Sequence, residues 1–244
     1  MKNYKLTIQY DGTNYAGWQI QKSEKTIQGE ITTVLHRILQ EDVTLVGSGR
    51  TDAGVHAMGQ VANFLSEKDR EINKLRHSIN GLLPNDISVT EIVLEDEKFH
   101  SRFDARKRSY IYLISHFKSP FYHNYSYYYH PILDHSIEEL NEISSAILGE
   151  HDFTSFCRTK TEIENKICTI ENIRWRKNET HTIMLIEANR FLHGMVRTIV
   201  GSVIFAAKNK LGGDYLLSVL DKKDRIEAAE AVPAKGLFLY KVRY

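Results

Sequence analysis

Two periodicities of apolar residues interleave along this chain, and that interleaving restricts it to a mixture of strands and helices. Tyr4, Leu6, Ile8 and Tyr10 alternate with Lys5, Thr7 and Gln9, the period-two pattern of a half-buried strand, and Asp11-Gly12 ends it with turn chemistry. After a loop, Ile27, Ile31, Val34, Leu35, Ile38 and Leu39 recur at helical spacing behind Thr26, a residue suited to cap the helix. Strand-like runs follow at 60–64 and 87–94, with a helix expected over 67–82 between them.

The second half has the same ingredients. Residues 109–116 are apolar on both faces, and the run continues through 127–130 into a helix expected over 137–148. Ser136 and Glu139 form an S-x-x-E capping box for that helix, and Gly149 suits its end. Strands at 170–176 and 182–188 precede a largely apolar helix from about 191, and residues 237–244 alternate again. Each half runs strand, helix, strands, so the expectation is an α+β fold of two lobes, 1–104 and 105–244, without a residue-level repeat. With 244 residues and 42% hydrophobic content, the chain can fill a substantial core.

Several function classes fall away on composition. Residues 1–10 alternate rather than forming the unbroken apolar stretch of a signal peptide, and the apolar run 195–207 is interrupted by Arg197 and shorter than the ~18 residues a membrane span needs. A soluble cytoplasmic protein is expected. Cys157 and Cys168 form no paired-cysteine motif, against a zinc ribbon or disulfide framework. The 32 basic and 31 acidic residues leave a net charge of +1, so any surface for a polyanion must be local. Arg102, Arg106, Lys107 and Arg108 make the densest basic cluster, with Lys208 and Lys210 a second; either is a phosphate-neutralising patch or a solvated edge.

The segment 47–56, Gly-Ser-Gly-Arg-Thr-Asp-Ala-Gly-Val-His, gathers three glycines, Arg50, Asp52 and His56 with little apolar periodicity. Two structures suit it: a loop built closely around a substrate, or a tight turn in which Asp52 bonds local amides. Arg197 interrupts an otherwise apolar helix, where it either snorkels from the helix edge or pairs with a carboxylate; a pair with Asp52 would keep that group ionised and oriented. Tyr110, Tyr112, Tyr122, Tyr125, Tyr127, Tyr128 and Tyr129 follow the Arg102 to Arg108 cluster, a composition that serves base stacking as well as ordinary strands. Asp52 and His56, joined by His193, His36 or His100, have only weak metal-ligand spacing, and no P-loop or dinucleotide fingerprint is present.

Taken in order, Gly49-Arg-Thr-Asp-Ala-Gly-Val-His56 and Gly59-Gln60-Val61 resemble the catalytic motif of the tRNA pseudouridine synthase A family. Tyr10-Asp-Gly-Thr with Gly17-Trp-Gln19, Thr26-Ile-Gln28, Leu83-Pro-Asn-Asp-Ile87 and Ser101-Arg-Phe103 with Tyr110-Ile-Tyr112 resemble further blocks of it. So do His151-Asp-Phe-Thr-Ser-Phe156, Ala188-Asn with Phe191, His193 and Met195-Val-Arg197, and Pro233-Ala-Lys-Gly-Leu237. Ser48, where the family often has alanine, Gly29 and Cys157-Arg158 depart from the pattern.

The resemblance implies the pseudouridine synthase fold, two related lobes sharing a mixed, mostly antiparallel sheet with a central basic cleft. It implies isomerisation of uridine at positions 38, 39 and 40 of the tRNA anticodon arm, with neither cofactor nor metal. Asp52 would be the catalytic carboxylate, Tyr110 the ring stacked on the flipped base, and Arg197 the residue orienting Asp52. Arg50 and the cluster Arg102, Arg106, Lys107 and Arg108 would bind the substrate. A homodimer is implied, with tRNA contacting both subunits. Two rival classes remain open, a non-catalytic RNA-binding protein and a metal-dependent hydrolase built on Asp52, His56 and His193.

Overall fold

The alternation at the amino terminus becomes β1, Lys2–Tyr10, with Tyr4, Leu6, Ile8 and Tyr10 all buried. The computed structural model describes residues 1–158 and 164–244. These divide into two units, Met1–Arg106 with Leu239–Tyr244, and Lys107–Phe238.

In the first unit α1, Ile27–Leu39, starts at Thr26, whose side chain accepts a hydrogen bond from the Gly29 amide, and buries the stripe Ile27, Ile31, Val34, Leu35 and Leu39. β2, Val46–Gly47, and β3, His56–Ser66, frame the glycine-rich loop. α2, Ile72–Leu82, and β4, Ile87–Glu95, complete the run. β1 lies between β4 and β3 and is antiparallel to both; Tyr4 opposes Phe64, and their rings stack 5.2 Å apart. The expected helix over 67–82 begins late, because the Glu71 carboxylate caps it by accepting from the Asn73 and Lys74 amides.

In the second unit β5, Lys107–Ser115, pairs in parallel with the short β6, Tyr127–Tyr128. α3, Ile137–Ser145, starts on the expected cap, the Glu139 amide donating to Ser136 Oγ at 3.0 Å. It stops before the expected 148 because residues 146–148 tighten into bonds reaching three residues back. β7, Gly149–Asp152, β8, Ile167–Lys177, and β9, His181–Ala188, follow, giving the antiparallel order β5-β9-β8-β7. Trp175 of β8 is clasped by α3, donating Nε1–H to Ser144 Oγ and its amide to Asn141 Oδ1.

α4, Met195–Lys208, has eleven of its fourteen residues buried, as a helix apolar on nearly every side requires. It starts after Gly194, whose φ of +76° turns the chain, rather than at 191. α5, Gly212–Lys222, has no counterpart among the expected elements; it buries Leu216, Val219 and Leu220 and packs with α3 and α4. β10, Leu237–Arg243, starts in the second unit and ends in the first, where it neighbours β3. The described residues form ten strands and five α-helices, and the fold is α+β, as expected. Among the described residues no helix is long and apolar enough to cross a membrane.

Candidate active site

Asp52 lies half-buried in the loop between β2 and β3, and the loop's shape comes from its neighbours rather than from regular structure. Gln60, fully buried on β3, works as a strut: its amide nitrogen donates to Gly49 O at 3.0 Å, while its Oε1 accepts from Ser48 Oγ at 2.7 Å. On the other side the segment following β1 closes in. Tyr10 Oη and Thr51 Oγ1 are 2.8 Å apart, and the Trp18 amide donates to Thr51 O at 3.1 Å. Gly17, at φ +100°, passes so close that a Cβ there would lie 2.5 Å from Thr51 O and 3.1 Å from the Asp52 carbonyl carbon. The backbone on both sides of Asp52 is held from outside, by side chains and a close backbone approach, and within the loop the Val55 amide donates to Asp52 O at 3.2 Å.

Arg50 is exposed, with Nε donating to Gln19 Oε1 at 3.1 Å. Arg102 and Arg106 are also exposed in this unit; the Arg102 guanidinium sits 5.6 Å from the centre of the Phe103 ring. His56 is 1% exposed, and its Nδ1 accepts from the Gly12 amide at 3.1 Å. Among the described residues no group of three or more His, Cys, Asp or Glu is arranged to hold a metal ion.

The other candidates belong to the second unit. Tyr110, 9% exposed on β5, meets the Phe191 ring edge-on at 5.1 Å. Lys107 is ion-paired with Glu171, and the Arg108 guanidinium donates to Asn189 O at 2.8 Å, so this half of the basic cluster is engaged on the sheet. Arg197 is half-buried on the first turn of α4, its Nε donating to Val232 O at 2.7 Å. Beside it Tyr112 donates its hydroxyl to Pro233 O at 2.8 Å; burial raises that phenol's pKa, and the positive charge of Arg197 opposes the rise. Both side chains therefore tether residues 232–233. Of the remaining tyrosines, Tyr125 and Tyr128 are exposed, whereas Tyr127 and Tyr129 stack on each other 5.6 Å apart. Burial pushes the Cys168 thiol up to about 11, leaving it protonated and unreactive near neutral pH.

Tyr10 and Gln60 shape the Asp52 loop, a task that sequence reasoning misses. Their place in motif blocks is the only signal, because neither the strut nor the hydroxyl contact is local in sequence.

Comparison with known proteins identifies the chain's relatives. The family model for tRNA pseudouridine synthase matches residues 6–104 and 143–244, spanning the Asp52 loop and α4. A tRNA pseudouridine synthase A of Brachyspira hyodysenteriae is 38% identical over 242 residues, covering 98% of this chain and 96% of the relative. Proteins of the same name from Thermoanaerobacter sp. and Bacillus subtilis are 36% identical over 247 residues and 37% over 243; they cover 100% and 98% of this chain, and 100% and 98% of the relatives. Matches of this length at this identity leave one conclusion: the chain belongs to the tRNA pseudouridine synthase family.

Proposed function

We propose that this protein isomerises uridine to pseudouridine at positions 38, 39 and 40 of the tRNA anticodon arm, with Asp52 as the reacting carboxylate. The observation that carries the reading is end-to-end similarity to proteins named for uridine isomerisation in tRNA, together with a carboxylate on a loop held from both sides.

The reaction breaks the bond from ribose C1′ to base N1, turns the uracil and joins C5 to C1′; no electron or phosphoryl group is transferred. Asp52 attacks C1′ or takes the 2′ proton, and either step needs an ionised carboxylate held still beside a sugar carbon that gathers positive charge. A uridine in the stem has to leave its stack first. Tyr110 stacks on the extruded base and serves removal of the C5 proton, Arg50 holds the displaced backbone, and Arg197 orients Asp52. Arg102 and Arg106, the exposed half of the basic cluster, bind phosphates, Lys107 and Arg108 joining them only by giving up their contacts on the sheet, and a homodimer sharing one tRNA doubles the basic surface of a near-neutral chain.

Tritium release from C5-labelled uridine in an unmodified tRNA transcript, measured with EDTA present, tests this directly. Wild type should release tritium and Asp52→Asn should lose turnover about a thousandfold or more, on the order seen when a reacting nucleophile is removed. No release by wild type from several tRNAs, with binding retained, would establish the non-catalytic RNA-binding alternative instead.

A further inference from the structure

Gly12 is buried where the segment after β1 meets the Asp52 loop, and a Cβ there would lie 2.0 Å from Val55 O. No side chain fits at that crossing, so the two backbones run in direct contact. At the same point the Gly12 amide donates to His56 Nδ1 at 3.1 Å, and His56 is the residue with which β3 begins. A buried backbone N–H needs an acceptor, and here an imidazole four residues beyond Asp52 supplies it.

The hydrogen bond also fixes the ring's protonation. A backbone amide can only donate, so Nδ1 must offer its lone pair, and a neutral ring then carries its proton on Nε2. The same nitrogen is 3.1 Å from Asp11 Oδ1, a contact that becomes an ion pair only on a protonated ring. It cannot accept from Gly12 and donate to Asp11 at once. The Asp11 oxygen already accepts from the Thr13 amide and hydroxyl at 2.9 and 2.5 Å, which leaves the neutral ring as the state that satisfies every donor named here.

We propose that His56 is a positioning residue for Asp52, a role that rests on Asp52 being the reacting carboxylate. By accepting from Gly12 it sets the separation between the backbone of residues 10–18 and that of residues 51–55, and so the place of the carboxylate they hold. Removing the acceptor leaves the Gly12 amide buried without a partner and lets the two segments slide, which a reaction at a sugar carbon tolerates poorly.

The test is steady-state kinetics on tRNA with thermal melting, for His56→Leu, His56→Ala, His56→Asn and Asp52→Asn. His56→Leu removes the acceptor at similar volume and should lower kcat about 10- to 100-fold, with KM for tRNA within about twofold and the protein folded. His56→Asn, whose Oδ1 can take the place of Nδ1, should recover most of that loss; a part that is merely packing would not separate these two. A folded His56→Leu with parental kcat, or with a change in KM alone, overturns the proposal while an inactive Asp52→Asn leaves the catalytic reading standing. Should His56→Leu fail to fold, His56→Ala decides, since it lacks the acceptor and adds no bulk: reduced kcat at unchanged KM, recovered in His56→Asn, supports the proposal, and parental kcat overturns it. An active Asp52→Asn overturns both readings together.

Discussion

Asp52 and Arg197 are held by opposite means. Around Asp52 the chain has little regular structure, and its course follows from close backbone approaches and from hydrogen bonds of Tyr10, Trp18 and Gln60. Arg197 instead rides on α4, where Met195, Val196, Ile199 and Val200 bury the helix around it and each buried aliphatic side chain contributes about 1.5–3 kcal/mol. Apolar packing tolerates changes of similar volume, whereas backbone jammed against backbone tolerates almost none. The two sites should therefore fail differently when disturbed.

The largest expected effect outside Asp52 itself is Gly17→Ala. That residue sits at φ +100°, and an added methyl would come within 2.5 Å of Thr51 O, so alanine has to displace the loop. Turnover should fall about 100-fold. Turnover within about twofold of the parent would mean that the loop is not fixed by its neighbours. Arg197→Met should do less: methionine suits an apolar helix and should preserve the melting temperature within a few degrees, while kcat drops about tenfold as the guanidinium is lost. Unchanged turnover in the folded variant would remove Arg197 from the orienting role.

The smallest effect is on pH, and it falls in the second unit. Burial holds His116 below the ordinary histidine value of 6.5, helped by Lys177 and His130 and opposed by its bond to Glu179 O; burial and the neighbouring His116 do the same to His181. Below pH 6.5 the unfolded chain takes up protons that these folded rings refuse. Their contribution is therefore intact above 6.5 and is lost as pH falls from there towards the folded pKa values. Melting temperatures between about pH 7.5 and 5 should decline, and His116→Gln should lessen the decline; an equal slope in that variant would assign the acid sensitivity elsewhere.

Much of this architecture is legible in sequence wherever one element carries its own signal. β1 and α1 follow from periodicity and from the Thr26 cap, and α3 from Ser136 and Glu139. α5 escapes because it opens on Gly212-Gly213 and shows only the short apolar set Leu216, Val219 and Leu220. Periodicity alone starts α2 and α4 too early, since an apolar pattern does not reveal that Glu71 turns back to cap or that Gly194 takes a left-handed conformation. At the candidate site, residue types draw attention to Asp52, Arg197 and the glycines. What each glycine lies against cannot be read, because Gly12 meets Val55 and Gly17 meets Thr51 across a long separation in the chain.

That β10 ends in the first unit has a consequence for how the chain is made. The Arg106 amide donates to Arg243 O, and Tyr244 donates its hydroxyl to Ser101 O while its ring lies 4.9 Å from Phe99. On the ribosome the residues of the first unit up to Arg106 emerge early, yet the strand that neighbours β3 is synthesised only after all of the second unit, roughly ten seconds later at ordinary elongation rates. For that interval the part of β3 that β2 does not cover presents unpaired backbone donors and acceptors. The nascent enzyme is thus vulnerable to mispairing with other chains until its last strand is translated.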